Sequence, residues 1–283
     1  MQRFGIDISE YQKGFDFDRA IAEGVEFAII RGADRFYKDS QFENFYSQLK
    51  SRGIPIGVYH YARCTTVQEA EAEAAFFIEN VLQGKSFAYP VYMDVETQAQ
   101  RGVGKKQMTD TVIAYCEAIK KAGYYPGIYA SLNFIENYLD DSRLDAYEKW
   151  IAQWYTQCDY QGKLGMWQFG GETNLIRTNR VAGVVCDQNY AYADYLSQPE
   201  EDRPTNTYSL QLSVLRRGDR GEAVRALQIL LMRNGWDGGT WGADGVYGSQ
   251  TVDAVTAYQR KTGISVDGIV GPETMTALLT GKP

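Results

Sequence analysis

Asp94 and Glu96 stand two apart in the apolar run Tyr92-Met93-Asp94-Val95-Glu96, and in an extended strand that spacing turns both carboxyls to one side. Two more acids have similar surroundings, Asp7 in Gly5-Ile6-Asp7-Ile8-Ser9 and Asp187 in Val185-Cys186-Asp187-Gln188-Asn189. An ionised carboxylate inside a β-prone apolar run costs several kcal/mol unless partners compensate, so such acids are either paired or kept for reaction. Carboxyls in unequal environments are the equipment of glycoside hydrolysis, one holding a proton for the leaving oxygen and another remaining ionised. The competing reading is a buried acid network neutralised by Arg31, Arg35 or Arg63, and the residues alone leave both open.

Other chemistries find less support. His60 is the single histidine, which removes multi-histidine zinc sites and any triad needing another histidine. It is expected to be a structural residue hydrogen-bonded beneath the cleft. Cys64, Cys116, Cys158 and Cys186 form no Cys-x-x-Cys pair and read as small buried hydrophobes. Gly102-Val103-Gly104-Lys105-Lys106 imitates part of a phosphate loop but lacks its first glycine and its Ser or Thr, so it is expected to be an exposed basic loop near the barrel mouth. Asp237, Asp244 and Asp267 lack calcium-loop spacing and read as turn formers. No cofactor and no metal are expected. A net charge of −7 disfavours nucleic acid, and no apolar run approaches the length of a membrane span. The opening Met1-Gln2-Arg3-Phe4 runs straight into strand-like sequence, so an export signal is not expected.

The elements that must position these acids follow from periodicity. Strand-like runs occur at 4–9, 27–32, 54–62, 89–96, 125–131, 150–154, 166–169 and 183–189, with helix-period segments at 17–23, 41–52, 67–82, 110–122 and 132–139. Alternation of this kind predicts an α/β fold, a (β/α) barrel, with Asp7 and Glu96 near C-terminal strand ends, where barrel enzymes carry their reactive groups. The connections 155–165 and 171–182 are short for helical crossovers, so the barrel is expected to be irregular, with hairpins on one side. That leaves the direction of the strand carrying Asp187 open.

Residues 197–209 are polar, contain two prolines and read as a linker between a barrel at 1–196 and a small three-helix all-α domain at 210–283. In that second segment Asp244-Gly245-Val246-Tyr247-Gly248-Ser249-Gln250-Thr251 is echoed by Asp267-Gly268-Ile269-Val270-Gly271-Pro272-Glu273-Thr274, each a glycine-rich turn leading into a helix. Trp236, Trp241 and Tyr247 lie near these turns, as a wall-ligand groove or as the small core such a domain needs.

The motifs together carry a resemblance. Gly-Ile-Asp-Ile-Ser at 5–9, Ile30-Arg31-Gly32, Gly57-Val58-Tyr59-His60-Tyr61-Ala62, Tyr-Met-Asp-Val-Glu at 92–96, Ile128-Tyr129-Ala130-Ser131, Trp150-Ile151-Ala152-Gln153-Trp154, Trp167-Gln168-Phe169 and Asp187-Gln188-Asn189 resemble, in order and spacing, the glycoside hydrolase family 25 lysozymes common among phage endolysins and bacterial autolysins. Leu215-Arg216-Arg217-Gly218-Asp219-Arg220-Gly221 and the Asp-Gly repeats resemble a type 1 peptidoglycan-binding domain. The resemblance implies cleavage of the β-1,4 bond between N-acetylmuramic acid and N-acetylglucosamine. Glu96 is then the general acid, its pKa raised by repulsion from Asp94; Asp94 stays ionised; Asp7 and Asp187 complete the acid set. It also implies net retention with the substrate's acetamido group as nucleophile, and Tyr61, Tyr129, Trp154 and Gln168 as substrate-binding residues. The partner implied is bacterial peptidoglycan, reached after release from the cytoplasm, by a holin if the source is a phage. The alternatives are an N-acetylglucosaminidase, or a wall-binding protein without activity.

Overall fold

The computed structural model describes residues 2–171, 174–195, 214–236 and 242–280, which form two compact units, 1–207 and 208–283 by their internal contacts. The linker expected at 197–209 lies outside the described residues.

In the first unit the strands are β1 (Arg3–Ile8), β2 (Phe27–Asp34), β3 (Tyr37–Lys38), β4 (Ile56–Tyr61), β5 (Val91–Asp94), β6 (Pro126–Ser131), β7 (Glu148–Ala152), β8 (Met166–Gly170), β9 (Arg180–Val181), β10 (Val184–Val185) and β11 (Asp187–Ala191). Eight of them form a closed ring in the order β1-β11-β8-β7-β6-β5-β4-β2, sealed by a parallel β2–β1 pairing, while β3 extends only the end of β2. The fold is thus the expected irregular α/β barrel. Neighbours from β1 through β8 run parallel, and β11 runs antiparallel to both β1 and β8. The hairpin expectation holds between β8 and β11, where β9 and β10 pair antiparallel. Between β7 and β8 the chain instead makes a parallel crossover without a helix, because 153–165 is long enough to return to the starting edge.

The helices are α1 (Phe17–Ala22), α2 (Phe42–Ser51), α3 (Val67–Phe77), α4 (Gln98–Arg101), α5 (Lys105–Lys121) and α6 (Leu132–Tyr138), with α3 widening into a π-turn at Ile78–Leu82. Several starts are capped by side chains: Asp16, Thr66 and Ser131 each accept from a backbone N–H three residues on. The basic-loop expectation at 102–106 is corrected by α5, which begins at Lys105. Two lysines in a first helical turn oppose the helix dipole. The structure compensates by pairing Lys106 with Asp110 at 2.7 Å and directing Lys105 Nζ to the Glu136 carbonyl at 2.9 Å.

Strand alternation divides the barrel's apolar residues into two layers. Ile6, Ile8, Val58, Val91, Met93, Val95 and Ile128 point outward and pack under the helices. Phe27, Tyr89, Tyr92, Trp150 and Tyr195 fill the interior, with Tyr59 and Tyr129 packed against them. Glycine creates the room: a Cβ at Gly5 would overlap the Phe27 ring. Asp7, Asp94 and Glu96 belong to the inward series, above this aromatic plug.

The second unit contains α7 (Glu222–Arg233), α8 (Ser249–Thr262) and α9 (Pro272–Thr280) around Leu227, Leu231, Tyr247, Val255, Tyr258 and Leu278. Its two turns share one construction. Buried Gln228 donates to Asp244 (2.8 Å), the Val246 carbonyl (3.1 Å) and Thr251 (3.2 Å), and accepts from the Gly245 N–H (2.8 Å). Buried Gln259 repeats this on Asp267 (2.9 Å), the Ile269 carbonyl (2.9 Å), Thr274 (3.1 Å) and the Gly268 N–H (2.9 Å). Asp244 and Asp267 also accept from the backbone two residues on, which agrees with turn formation, while Asp237 lies outside the described residues.

Candidate active site

Strand register brings the acids to one rim. Asp94 pairs across the sheet with Tyr61 on one side and Tyr129 on the other, and Asp7 is directly opposite Asp187. The direction left open by the sequence is settled by β11: because it runs antiparallel, its first residue, Asp187, lies level with the end of β1. Asp7, Asp94, Glu96 and Asp187 all line one cleft of about 360 Å³, together with Tyr61, Tyr129, Trp154 and Gln168. Gly171 crosses close beside Asp187, where any Cβ would meet the carboxylate.

Arg31, Arg35 and Arg63 pair with other carboxylates among the described residues. Arg31 bonds Asp39 at 2.8 Å and Glu10 at 2.9 Å, Arg63 takes Asp34 in a two-pronged pair at 2.6 and 2.7 Å, and Arg35 approaches Glu73 at 3.7 Å. Burial consequently dominates the acids' electrostatics. Asp7 is raised to about 6 by burial, against the lowering effect of hydrogen bonds from Asn189 (2.8 Å) and Gln168 (3.1 Å). Asp94, only 4 % exposed, is pushed well up by burial and then by the charges of Glu96 and Asp7; its Oδ1 has no hydrogen-bond partner within the protein. Glu96 is half-buried and raised by burial, with Tyr61 hydrogen bonding and the Arg101 charge acting the other way.

Burial is the first cause that raises Glu96, and burial followed by the charges of Glu96 and Asp7 raises Asp94, the deeper carboxyl. In the free protein, burial pushes the Asp94 pKa well above the ordinary carboxylate value.

Gln168 is 2 % exposed: its Nε2 donates to Asp7, while Oε1 accepts from the Tyr129 hydroxyl (3.0 Å) and the Trp154 indole (3.1 Å). Those two donors fix the amide's orientation, so Gln168 is placed to position Asp7 at the cleft wall. Asn189 does the same, with its oxygen held by the Trp150 indole at 2.8 Å. Trp154 is 40 % exposed at the cleft edge. Tyr61 carries Arg63 over its ring at 5.2 Å and faces Glu96.

Gln100 was missed by the sequence reading, although Thr97-x-x-Gln100 is a capping-box pattern. Its oxygen accepts the backbone N–H groups of Glu96 (3.1 Å) and Thr97 (2.9 Å), and its nitrogen reaches the carbonyls of Ala62 and Cys64. It therefore locks Glu96 to the end of β4. His60 lies fully buried beneath this rim, stacked on Phe77, with its ring nitrogens at 2.8 Å from the Tyr115 hydroxyl and 2.7 Å from the Arg35 carbonyl. Burial lowers its pKa to about 4, so it is neutral at pH 7 and occupied structurally. Among the described residues, no group of His, Cys, Asp and Glu is arranged to hold a metal ion, and no helix is long and apolar enough to cross a membrane.

In the second unit, Tyr247 is 1 % exposed, and its hydroxyl bonds the Gly268 carbonyl at 2.9 Å. It belongs to the core, which corrects its place in a wall-ligand groove. Trp236 is half-buried, edge-on to Tyr258 at 6.1 Å, with Lys261 at 5.7 Å over its ring. Trp241 lies outside the described residues.

Comparison with known proteins adds independent findings. Residues 6–176 match the family model described as Glycosyl hydrolases family 25, and residues 220–278 match that of a putative peptidoglycan binding domain. Asp7, Asp94 and Glu96 fall inside the first match and Asp187 beyond it. The chain is 29 % identical over 151 residues to an autolytic lysozyme of Clostridium acetobutylicum, a match covering 53 % of this chain and 44 % of that protein. It is 48 % identical over 66 residues to the N-acetylmuramoyl-L-alanine amidase CwlL of Bacillus licheniformis, covering 23 % of this chain and 18 % of the amidase. The chain thus spans less than half the length of either relative. In fold it is similar to the crystal structure of the CTP1L endolysin, with a TM-score of 0.58 at 24 % identity, covering 69 % of this chain and 67 % of that one.

Proposed function

The chain belongs to glycosyl hydrolases family 25, and from that premise we propose that it is a peptidoglycan muramidase, cleaving the β-1,4 bond between N-acetylmuramic acid and N-acetylglucosamine. The observation that carries this reading is the convergence of Asp94 and Glu96 in a cleft where burial raises the pKa of both carboxyls and, among the described residues, no arginine bonds either. A half-buried glutamic acid at the open edge is suited to donate its proton to the glycosidic oxygen. Asp94, deeper and with an unpartnered oxygen, is suited to accept a hydrogen bond from the substrate's acetamido N–H. That contact would favour its ionised form and hold the acetamido carbonyl oxygen against the anomeric carbon.

Hydrolysis then follows with net retention. The acetamido oxygen attacks the anomeric carbon as Glu96 protonates the departing oxygen, and water, deprotonated by Glu96, opens the resulting oxazolinium ring. Asp7 and Asp187 flank this path as charges that favour oxocarbenium character. Trp154, Tyr61 and Tyr129 offer ring faces to the sugars. The 208–283 unit holds the enzyme to its insoluble substrate and so raises the effective concentration of the barrel there. The bacterial cell wall is accordingly its place of action.

The test is to digest purified peptidoglycan, reduce the new ends with borohydride and identify them by mass spectrometry. Muramitol ends are expected. Glucosaminitol ends would move the cut to the other glycosidic bond, and wall binding without new ends would leave only a binding protein.

A further inference from the structure

Tyr11 is 81 % exposed, the greatest exposure of any large hydrophobic side chain among the described residues, and it lines the cleft that contains the acids. An isolated exposed tyrosine needs no explanation. This one stands on a backbone turn held by hydrogen bonds. It sits in a single 3₁₀ turn, Glu10–Gln12, closed at its start by Gln12, whose side chain accepts the Ser9 N–H at 2.9 Å. Its ring lies against the Arg31 guanidinium, 5.1 Å from the ring centre.

Arg31 is itself locked. It bonds Asp39 at 2.8 Å and Glu10 at 2.9 Å; Asp39 also accepts the Glu10 N–H at 3.0 Å, and Glu10 takes the Ser40 hydroxyl at 2.8 Å. Arg31 and Asp39 are both buried. A buried ion pair is costly to assemble and is weak evidence for stability by itself. Here the pair fixes the turn beneath an exposed ring. Immobilising a ring before binding reduces the ordering cost that a ligand would otherwise meet.

We propose that Tyr11 is a carbohydrate-stacking platform, a subsite that takes the apolar face of a pyranose ring, with the Glu10–Arg31–Asp39 network as its pedestal. Tyr11 follows β1 and Trp154 follows β7, so the two exposed rings rise from different strand ends around one acid-lined cleft. A glycan chain crossing the acids has a ring face on each of two sides. This inference rests on the muramidase reading for the identity of the sugar chain.

The test compares hydrolysis of soluble GlcNAc–MurNAc oligosaccharides by the wild type, Tyr11→Phe and Tyr11→Ala, reading reducing ends per unit time. The exposed side chain supports no core, so both variants are expected to fold, and circular dichroism checks this. Tyr11→Ala is expected to lower kcat/KM by about 3- to 10-fold, chiefly through a higher KM, with Tyr11→Phe within about twofold of wild type. A Tyr11→Ala enzyme as efficient as wild type overturns the platform while leaving the muramidase reading intact. Equal losses in Phe and Ala would also overturn it, since they assign the effect to the hydroxyl. No muramitol ends from the wild type would defeat both readings.

Discussion

The two units treat their aspartates in opposite ways. In the 208–283 unit, Asp244 and Asp267 are exposed to water, accept backbone N–H groups and a glutamine amide, and have pKa values lowered by those bonds. In the barrel, Asp7 and Asp94 are buried under the sheet rim, and their pKa values rise despite the bonds Asp7 receives. An aspartate that builds a turn gains from being charged; an aspartate kept for chemistry is held where its charge is costly. The same residue type is therefore a water-exposed turn clip in one unit and a buried, cleft-lining acid in the other.

Glu96→Gln should sharpen this contrast most. It removes the transferable proton and is expected to reduce cleavage by ~10²-fold or more while wall binding persists, as measured by reducing ends and by sedimentation with cell walls. Near-normal turnover would refute Glu96 as the acid.

Gln259→Leu should break the clip. It strands the Gly268 N–H and the Asp267 turn in a buried setting, with an expected loss of about 2–3 kcal/mol in the unfolding of the second unit. Differential scanning calorimetry of the full chain would register this, and cleavage of soluble fragments should continue.

Asp7→Asn is expected to stabilise the barrel, by up to about 3 kcal/mol above pH 6. The folded-state pKa of Asp7 is raised from 3.8 to about 6, so above pH 6 the native state contains a buried charge that the unfolded chain solvates freely. As pH falls from 6 to 3.8 the native state binds the proton first, and the advantage of Asn should vanish. Denaturant titrations at pH 8 and pH 4 test this; an equal difference at both would remove the burial argument.

The smallest effect concerns the units' division of labour. Removing 208–283 should weaken wall association more than cleavage of soluble fragments, and equal losses would assign the second unit a supporting role in folding or at the cleft.

Much of this was legible in the chain. Period-two alternation placed Asp94 and Glu96 on one face, because inward and outward residues of a barrel strand meet such different surroundings that the pattern must be written into the sequence. The paired Asp-Gly turns were visible for the same local reason. Other features were not. Lys105 and Lys106 read as a loop because their compensation comes from Asp110 and from the Glu136 carbonyl, the latter distant in sequence. Tyr247 read equally as ligand groove or core until its hydroxyl was seen to bond Gly268.

The sequence by itself determined the barrel class, the repeat in the second unit and the residue types able to do acid chemistry, because all three depend on local spacing and motif. Only the tertiary structure decided how deeply each carboxyl is buried, that antiparallel β11 returns Asp187 to the mouth, and that Gln168 and Asn189 steady Asp7. Those outcomes depend on burial and on contacts between residues far apart in the chain, and a pKa responds to the whole surroundings of a group rather than to its neighbours in sequence.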